Sequence, residues 1–152
     1  MVRLKIIKKK FKDGLRVFHI KNNQKNIIVE IDVNAGFLSE THYDYGVAHI
    51  LEHLIWDGSK NCPGEYVRQE IKKINGYYNS FTCPNKTSYL LLFPRKYFNR
   101  AIVLLSELLT KPDFNYENIA KEKQIVLRES EKLRSNPLKL CQEYGLKLLF
   151  NN

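Results

Sequence analysis

The sequence predicts an α+β fold: one two-layer domain over residues 1–152, with helices packed on one face of a mostly antiparallel sheet. Three observations point there. Short segments with an apolar period of two, such as Ile27, Val29, Ile31 and Val33, read as strands. Longer segments with apolar residues three and four apart read as helices. The segments come in the order strands, two helices, a hairpin, then helices, which suits helices laid on one sheet.

Lys5 to Phe11 is a short strand, Asp13-Gly14 a turn, and Leu15 to Lys21 the returning strand. A polar loop, Asn22 to Asn26, leads to the strand Ile27–Val33, which Ala35-Gly36 breaks. The loop Ser39 to Asp44 carries Glu40, and Asp44 is the expected N-cap of the next helix. That helix runs through Val47, Ile50, Leu51, Leu54 and Ile55 and ends at Gly58. Pro63-Gly64 opens a second, with Val67, Ile71 and Ile74 on one face and Gly76 as its stop. Tyr77–Cys83 and Lys86–Phe93 are strands joined at Pro84-Asn85. Pro94 starts a helix through Phe98, Ile102, Leu105 and Leu109, ended by Lys111-Pro112. Tyr116 to Leu133 is the next helix, and Pro137 opens the last, through Leu140, Tyr144 and Leu148.

With 43% hydrophobic and 27% charged residues the chain is globular, and its length suffices for a core. No apolar run approaches the roughly 20 residues that span a bilayer, so no membrane segment is expected. The basic N-terminus lacks the apolar stretch of a signal peptide. Cys62, Cys83 and Cys141 form an odd, widely spaced set without a disulfide pattern, which favours the cytoplasm. Lys+Arg 25 against Asp+Glu 16 gives +9. Apart from Lys8-Lys9-Lys10 the positive charge is dispersed, with no nucleic-acid-binding motif, so a solvated basic surface is the reading rather than a nucleic-acid partner.

The chemistry concentrates in His49-Ile50-Leu51-Glu52-His53. On a helix, with His49 at zero, Glu52 falls at about −60° and His53 at about +40°. All three project from one side, with the imidazoles one turn apart. This suits two nitrogen ligands on one Zn²⁺ with a carboxylate beside them. In His-x-x-Glu-His the glutamate lies on the opposite side of the histidine pair from its place in His-Glu-x-x-His, so a helix of reversed direction still aims a base at the metal's water. The bland alternative is two hydrogen-bonded histidines and an unrelated surface glutamate.

A catalytic zinc takes a third protein ligand and keeps an open position. On the helix Tyr116–Leu133, with Glu129 at zero, Ile125, Leu133, Val126 and Ile119 span about −40° to +80°, and Glu122 falls at about +20°. Two carboxylates therefore sit within the face meant for burial, where an unpaired charge costs several kcal/mol or more. A structural ion pair to Arg or Lys is one answer. A metal shared with the two histidines accounts for both sets, with Glu129 as ligand and Glu122 holding a histidine N–H or the ligand carboxylate.

The pattern resembles the pitrilysin-like (M16) zinc peptidases, which include insulin-degrading enzymes and mitochondrial processing peptidases. The resemblance rests on His49-x-x-Glu52-His53, on Glu129 lying 76 positions after His53, and on Glu122 seven before Glu129. Asp13-Gly14-Leu15-Arg16, Ala35-Gly36, Glu40, Asp57-Gly58-Ser59, the run Gly76, Asn79, Ser80 and Thr82, Arg128-Glu129 and Asn136-Pro137 extend it along nearly the whole chain. It implies that His49, His53 and Glu129 bind zinc and that Glu52 is the general base. It also implies that Asn79 and Ser80 lie on an edge strand that holds substrate backbone by strand addition. The implied substrates are short, unfolded peptides enclosed in a chamber of two or four such domains. The chain ends before the His-Pro-Tyr segment and the last strands of one such domain. It is thus expected to be a truncated fragment, a reduced relative, or a subunit that needs a second M16-type domain, a partner subunit or its own copies. The alternatives to a zinc metalloendopeptidase are a non-catalytic or regulatory subunit of a peptidase complex with the same fold and, resting on +9 alone, a nucleic-acid-binding module.

Overall fold

The computed structural model describes residues 5–41 and 44–150, apart from the side chains of residues 133, 134, 143, 147 and 150. Leu133, expected on the apolar face of its helix, thus lies outside the described side chains, and both ends of the expected 1–152 domain lie outside the described residues. The order is β1 (Lys5–Lys10), β2 (Arg16–Lys21), β3 (Asn26–Val33), α1 (Val47–Trp56), α2 (Gly64–Lys73), β4 (Tyr77–Thr82), β5 (Thr87–Pro94), α3 (Phe98–Thr110), α4 (Tyr116–Arg134) and α5 (Pro137–Phe150). The expected α+β architecture holds. Among the described residues, no helix is long and apolar enough to cross a membrane.

All strand pairs are antiparallel, but they form two sheets. β1 and β2 make a separate hairpin, with Ile6 opposite Ile20 and Lys10 opposite Arg16. β3, β5 and β4 make the central sheet with β5 in the middle, so β4 is an edge strand. Ile31 faces Tyr89 across one pair, and Ser80 faces Tyr89 across the other.

Period two decides which side chains of this sheet are buried. Tyr89, Leu91 and Phe93 of β5 meet Ile55 and Trp56 of α1, Val67 and Ile71 of α2, and Ala101, Leu104, Leu105 and Leu108 of α3. Ile27, Val29 and Ile31 of β3 pack against the same cluster. Leu91, Phe93 and Leu108 are fully buried, and each such side chain stabilises the fold by about 1.5–3 kcal/mol. α4 packs on α1, and α5 on α4.

Three local details differ from the sequence reading. Pro94 closes β5, and a 3-10 turn, Arg95–Tyr97, precedes α3. α2 ends in a Schellman turn whose left-handed residue is Asn75, at φ 52°, not Gly76. There Asn75 N–H bonds Lys72 O and Gly76 N–H bonds Ile71 O. The N-cap of α1 is Gly46, not Asp44. The Asp44 carboxylate instead accepts hydrogen bonds from the backbone and hydroxyl of Thr41.

Candidate metal centre

The loop before α1 folds back to cap it. Gly36 lies so close to β4's end that a Cβ there would meet Cys83 O at 2.1 Å, and Phe37 and Leu38 N–H bond the carbonyls of Cys83 and Pro84. This sets Glu40 over the start of α1. Its Oε2 accepts from Gly46 N–H at 2.8 Å and its Oε1 from Ala48 N–H at 2.7 Å. The two bonds satisfy amides that a helix start leaves without partners, and the negative charge suits the positive helix end.

α1 then presents its two histidines to α4. Their rings meet edge to face with centroids 5.0 Å apart. Oε2 of Glu129 lies 3.5 Å from His49 Nε2 and 3.7 Å from His53 Nε2. One ligand atom from each of the three residues falls within 4.8 Å of the others, and all three residues are half-buried. Ligand bonds of about 2.0–2.2 Å at tetrahedral angles put neighbouring donor atoms roughly 3.3–3.6 Å apart. The two histidine–carboxylate distances are close to that edge length. The three residues therefore fit a metal ion, with two imidazole nitrogens and one carboxylate oxygen.

Glu122, one of the buried charged residues, sits one layer behind. Its Oε2 lies 3.0 Å from His53 Nδ1. Burial opposes its ionisation. The Lys121 ammonium, 3.1 Å away, together with His53, outweighs burial and holds its carboxyl below the ordinary value. An ionised carboxylate only accepts, so Nδ1 carries the proton and Nε2 keeps its lone pair towards Glu129. Asp57, just past α1, completes the group. Burial first, then the adjacent Glu122 charge, pushes its carboxyl up, while Lys121 contacts it at 3.5 Å. The turn that follows needs glycine: Gly58 has φ +111°, and a Cβ there would meet Cys62 O at 2.3 Å.

Glu52 is buried and points to the sheet side of the site. Its Oε2 accepts a hydrogen bond from Thr82 Oγ1 at 2.6 Å. Oε1 has no protein partner among the described residues. Beneath it lies Tyr89, whose phenol is pushed up to about 12, by burial first and then by the Glu52 charge. Trp56 lies tilted against Tyr78, ring centroids 4.5 Å apart, so Tyr78, Ser80 and Thr82 lie on the helix-facing side of β4. Asn79 lies on the other face with Tyr77 and Phe81. Asn79 and Ser80 thus share the edge strand but not a face.

The sequence reading of His49, His53, Glu129 and Glu122 as one group is what the structure brings together. It missed the bond from Thr82 to Glu52, the Glu40 cap and the Asp57–Glu122 contact. The first was within reach, because period two puts Thr82 beside Tyr78 and Ser80. The other two depend on loop paths that carry no periodic signal.

The model of the family described as "Insulinase (Peptidase family M16)" matches residues 16–151. The cytochrome b-c1 complex subunit 1 of Mus musculus is 29% identical over 119 residues, 78% of this chain and 25% of that protein. A protein of Rickettsia bellii named as an uncharacterized zinc protease is 28% identical over 135 residues, 88% of this chain and 33% of that protein. The chain thus spans a quarter to a third of the length of these relatives. The crystal structure of a protease from Helicobacter pylori has the same fold, with a TM-score of 0.83 and 24% identity over 91% of this chain and 34% of that one. The chain belongs to the insulinase family of peptidases, family M16.

Proposed function

We propose that the chain is a zinc metalloendopeptidase domain that cleaves short, unfolded peptides. The observation that carries this reading is the convergence of His49, His53 and Glu129, with a buried glutamate on the same helix. A zinc ion held by these three residues would polarise the peptide carbonyl and lower the pKa of its water towards about 7.

The chain's own residues do the rest. Glu122 holds the His53 ring and its tautomer. Thr82 fixes one oxygen of Glu52, and the free oxygen accepts the proton of the attacking water and returns it to the departing amine. The unpaired edge of β4, with Asn79 and Ser80, receives the substrate as an added strand. A single domain cannot enclose a peptide, so a second M16-type domain, a partner subunit or another copy of the chain supplies the other wall. The three cysteines are unpaired, which suits a cytoplasmic site of action.

The relative named as a subunit of the b-c1 complex, and not as a protease, supports a second reading: a non-catalytic subunit with the same fold. The complete set of His49, Glu52, His53 and Glu129 favours the enzyme. Metal analysis of the purified chain with a quenched-peptide assay, in the presence of a second family-type domain, separates them. The enzyme reading expects one zinc per chain and cleavage that a chelator stops. Zinc without cleavage supports the subunit, and a chain that binds no zinc ends the metallopeptidase reading.

A further inference from the structure

Where α2 meets the start of β4 there is an open groove of about 310 Å³, lined by Arg68, Ile71 and Lys72 of α2, the turn Asn75-Gly76, and Tyr77 and Tyr78. Arg68 and Lys72 are one helical turn apart and so share a face of α2. Among the described residues, no acidic side chain lines the groove. Arg68 is engaged elsewhere, at 3.3 Å from Glu65 and 4.0 Å from Asp57. Lys72 has no ion-pair partner among the described residues. Tyr77, 60% exposed, offers an aromatic surface for the stem of a neighbouring side chain. The volume lies at the lower end for a small-molecule pocket and is open, so it suits one side chain of a larger ligand.

The position tells which ligand. The groove opens at the Tyr77 end of the free edge of β4, and the other end, Thr82, bonds the buried Glu52. Four residues of strand span about 13 Å. A peptide added to this edge in the more stable antiparallel sense runs from Thr82 towards Tyr77. Its residue opposite Tyr78, on the helix-facing side like Thr82, lies about four positions to the C-terminal side of the residue opposite Thr82.

We propose that the groove formed by Lys72, Arg68 and Tyr77 is a subsite for an acidic side chain of the bound peptide, about four residues to the C-terminal side of the residue seated beside Glu52. The subsite rests on the peptidase reading and on strand addition to β4. It makes the site selective for peptides with an acidic residue at a set distance, and leaves the chemistry at Glu52 unchanged.

The test is a glutamate scan through an otherwise neutral, fluorescently labelled twelve-residue peptide, with binding to the Glu52→Gln chain read by anisotropy. One position should bind about two- to fivefold tighter at low salt, the range of a partly exposed ion pair. Lys72→Glu should abolish that gain and transfer it to a peptide with lysine at the same position. A photoreactive group at that position should label Tyr77 or Lys72. Equal binding of all peptides, or equal gain at every position, overturns the subsite but leaves strand addition standing. No binding by any peptide overturns both.

Discussion

Nδ1 of His53 and Oε2 of Glu122 lie 3.0 Å apart, and this pair ties the orientation of a candidate metal ligand to a buried carboxylate on another helix. Because Glu122 is itself held by Lys121, the ring is fixed before any metal arrives. Glu122→Ala should weaken zinc binding about 10–100-fold, the usual range for such supporting groups, and Glu129→Ala should weaken it more. Competition against a chromophoric chelator measures both. Unchanged affinity in either variant would remove that residue from the centre.

Glu52→Gln should keep the zinc and lose hydrolysis. Glutamine has nearly the same shape but cannot accept the proton, a role that typically contributes about 10²–10⁴-fold. Zinc content and peptide turnover measured on the same preparation decide it. A parallel loss of zinc would show that Glu52 is a ligand.

Thr82→Val removes the hydroxyl that fixes Glu52 and keeps the side chain's volume. A hydrogen bond to a charged group is worth about 1.5–3 kcal/mol, so kcat should fall roughly tenfold or more with little change in KM. Thr82→Ser should restore it. If serine and valine behave alike, the hydroxyl does not position the base.

The residues of the candidate metal centre were legible in the sequence because helices repeat. Seven residues return almost to the same face, so Glu122 and Glu129 declared themselves as charges within an apolar stripe, and His49 and His53 as a pair one turn apart. The central sheet was legible from the period of two in Ile27–Val33. The split into two sheets was not, because pairing between strands is set by partners distant in sequence. Nor was the N-cap of α1. Asp44 has the favoured residue type, but Glu40 reaches the same amides from outside the helix.

Glu70 gives a pH dependence. It is buried, and the Lys73 ammonium, then the Arg100 guanidinium, hold its carboxyl below the ordinary 4.5 against the pull of burial. A lowered carboxyl stabilises the fold above the unfolded value and loses that contribution as pH falls through the folded one. The urea midpoint should therefore drop below about pH 4.5. Glu70→Gln should lower it at pH 7 and flatten the acid limb. An acid limb as steep in the variant as in the parent would assign the effect to other carboxylates.

Leu138, Leu148 and Leu149 of α5 are about four-fifths exposed, at 79%, 81% and 78%. An apolar helix face of this kind associates. The chain alone should be oligomeric in light scattering and weak as a peptidase, with activity rising when a second family-type domain is added. A clean monomer that cleaves peptide strongly by itself would contradict both expectations.

The β1–β2 hairpin has a consequence for how the molecule breathes. Every residue in its two strands is exposed, and among the described residues it pairs with no strand of the central sheet. A two-stranded ribbon is marginal by itself in water. Its amides should therefore exchange with solvent by local opening, far faster than those of β5, whose exchange requires global unfolding. The chain should thus behave as two cooperative units of very different lifetime. Protease nicking would begin between residues 5 and 21 and leave α1 and α4 folded behind it.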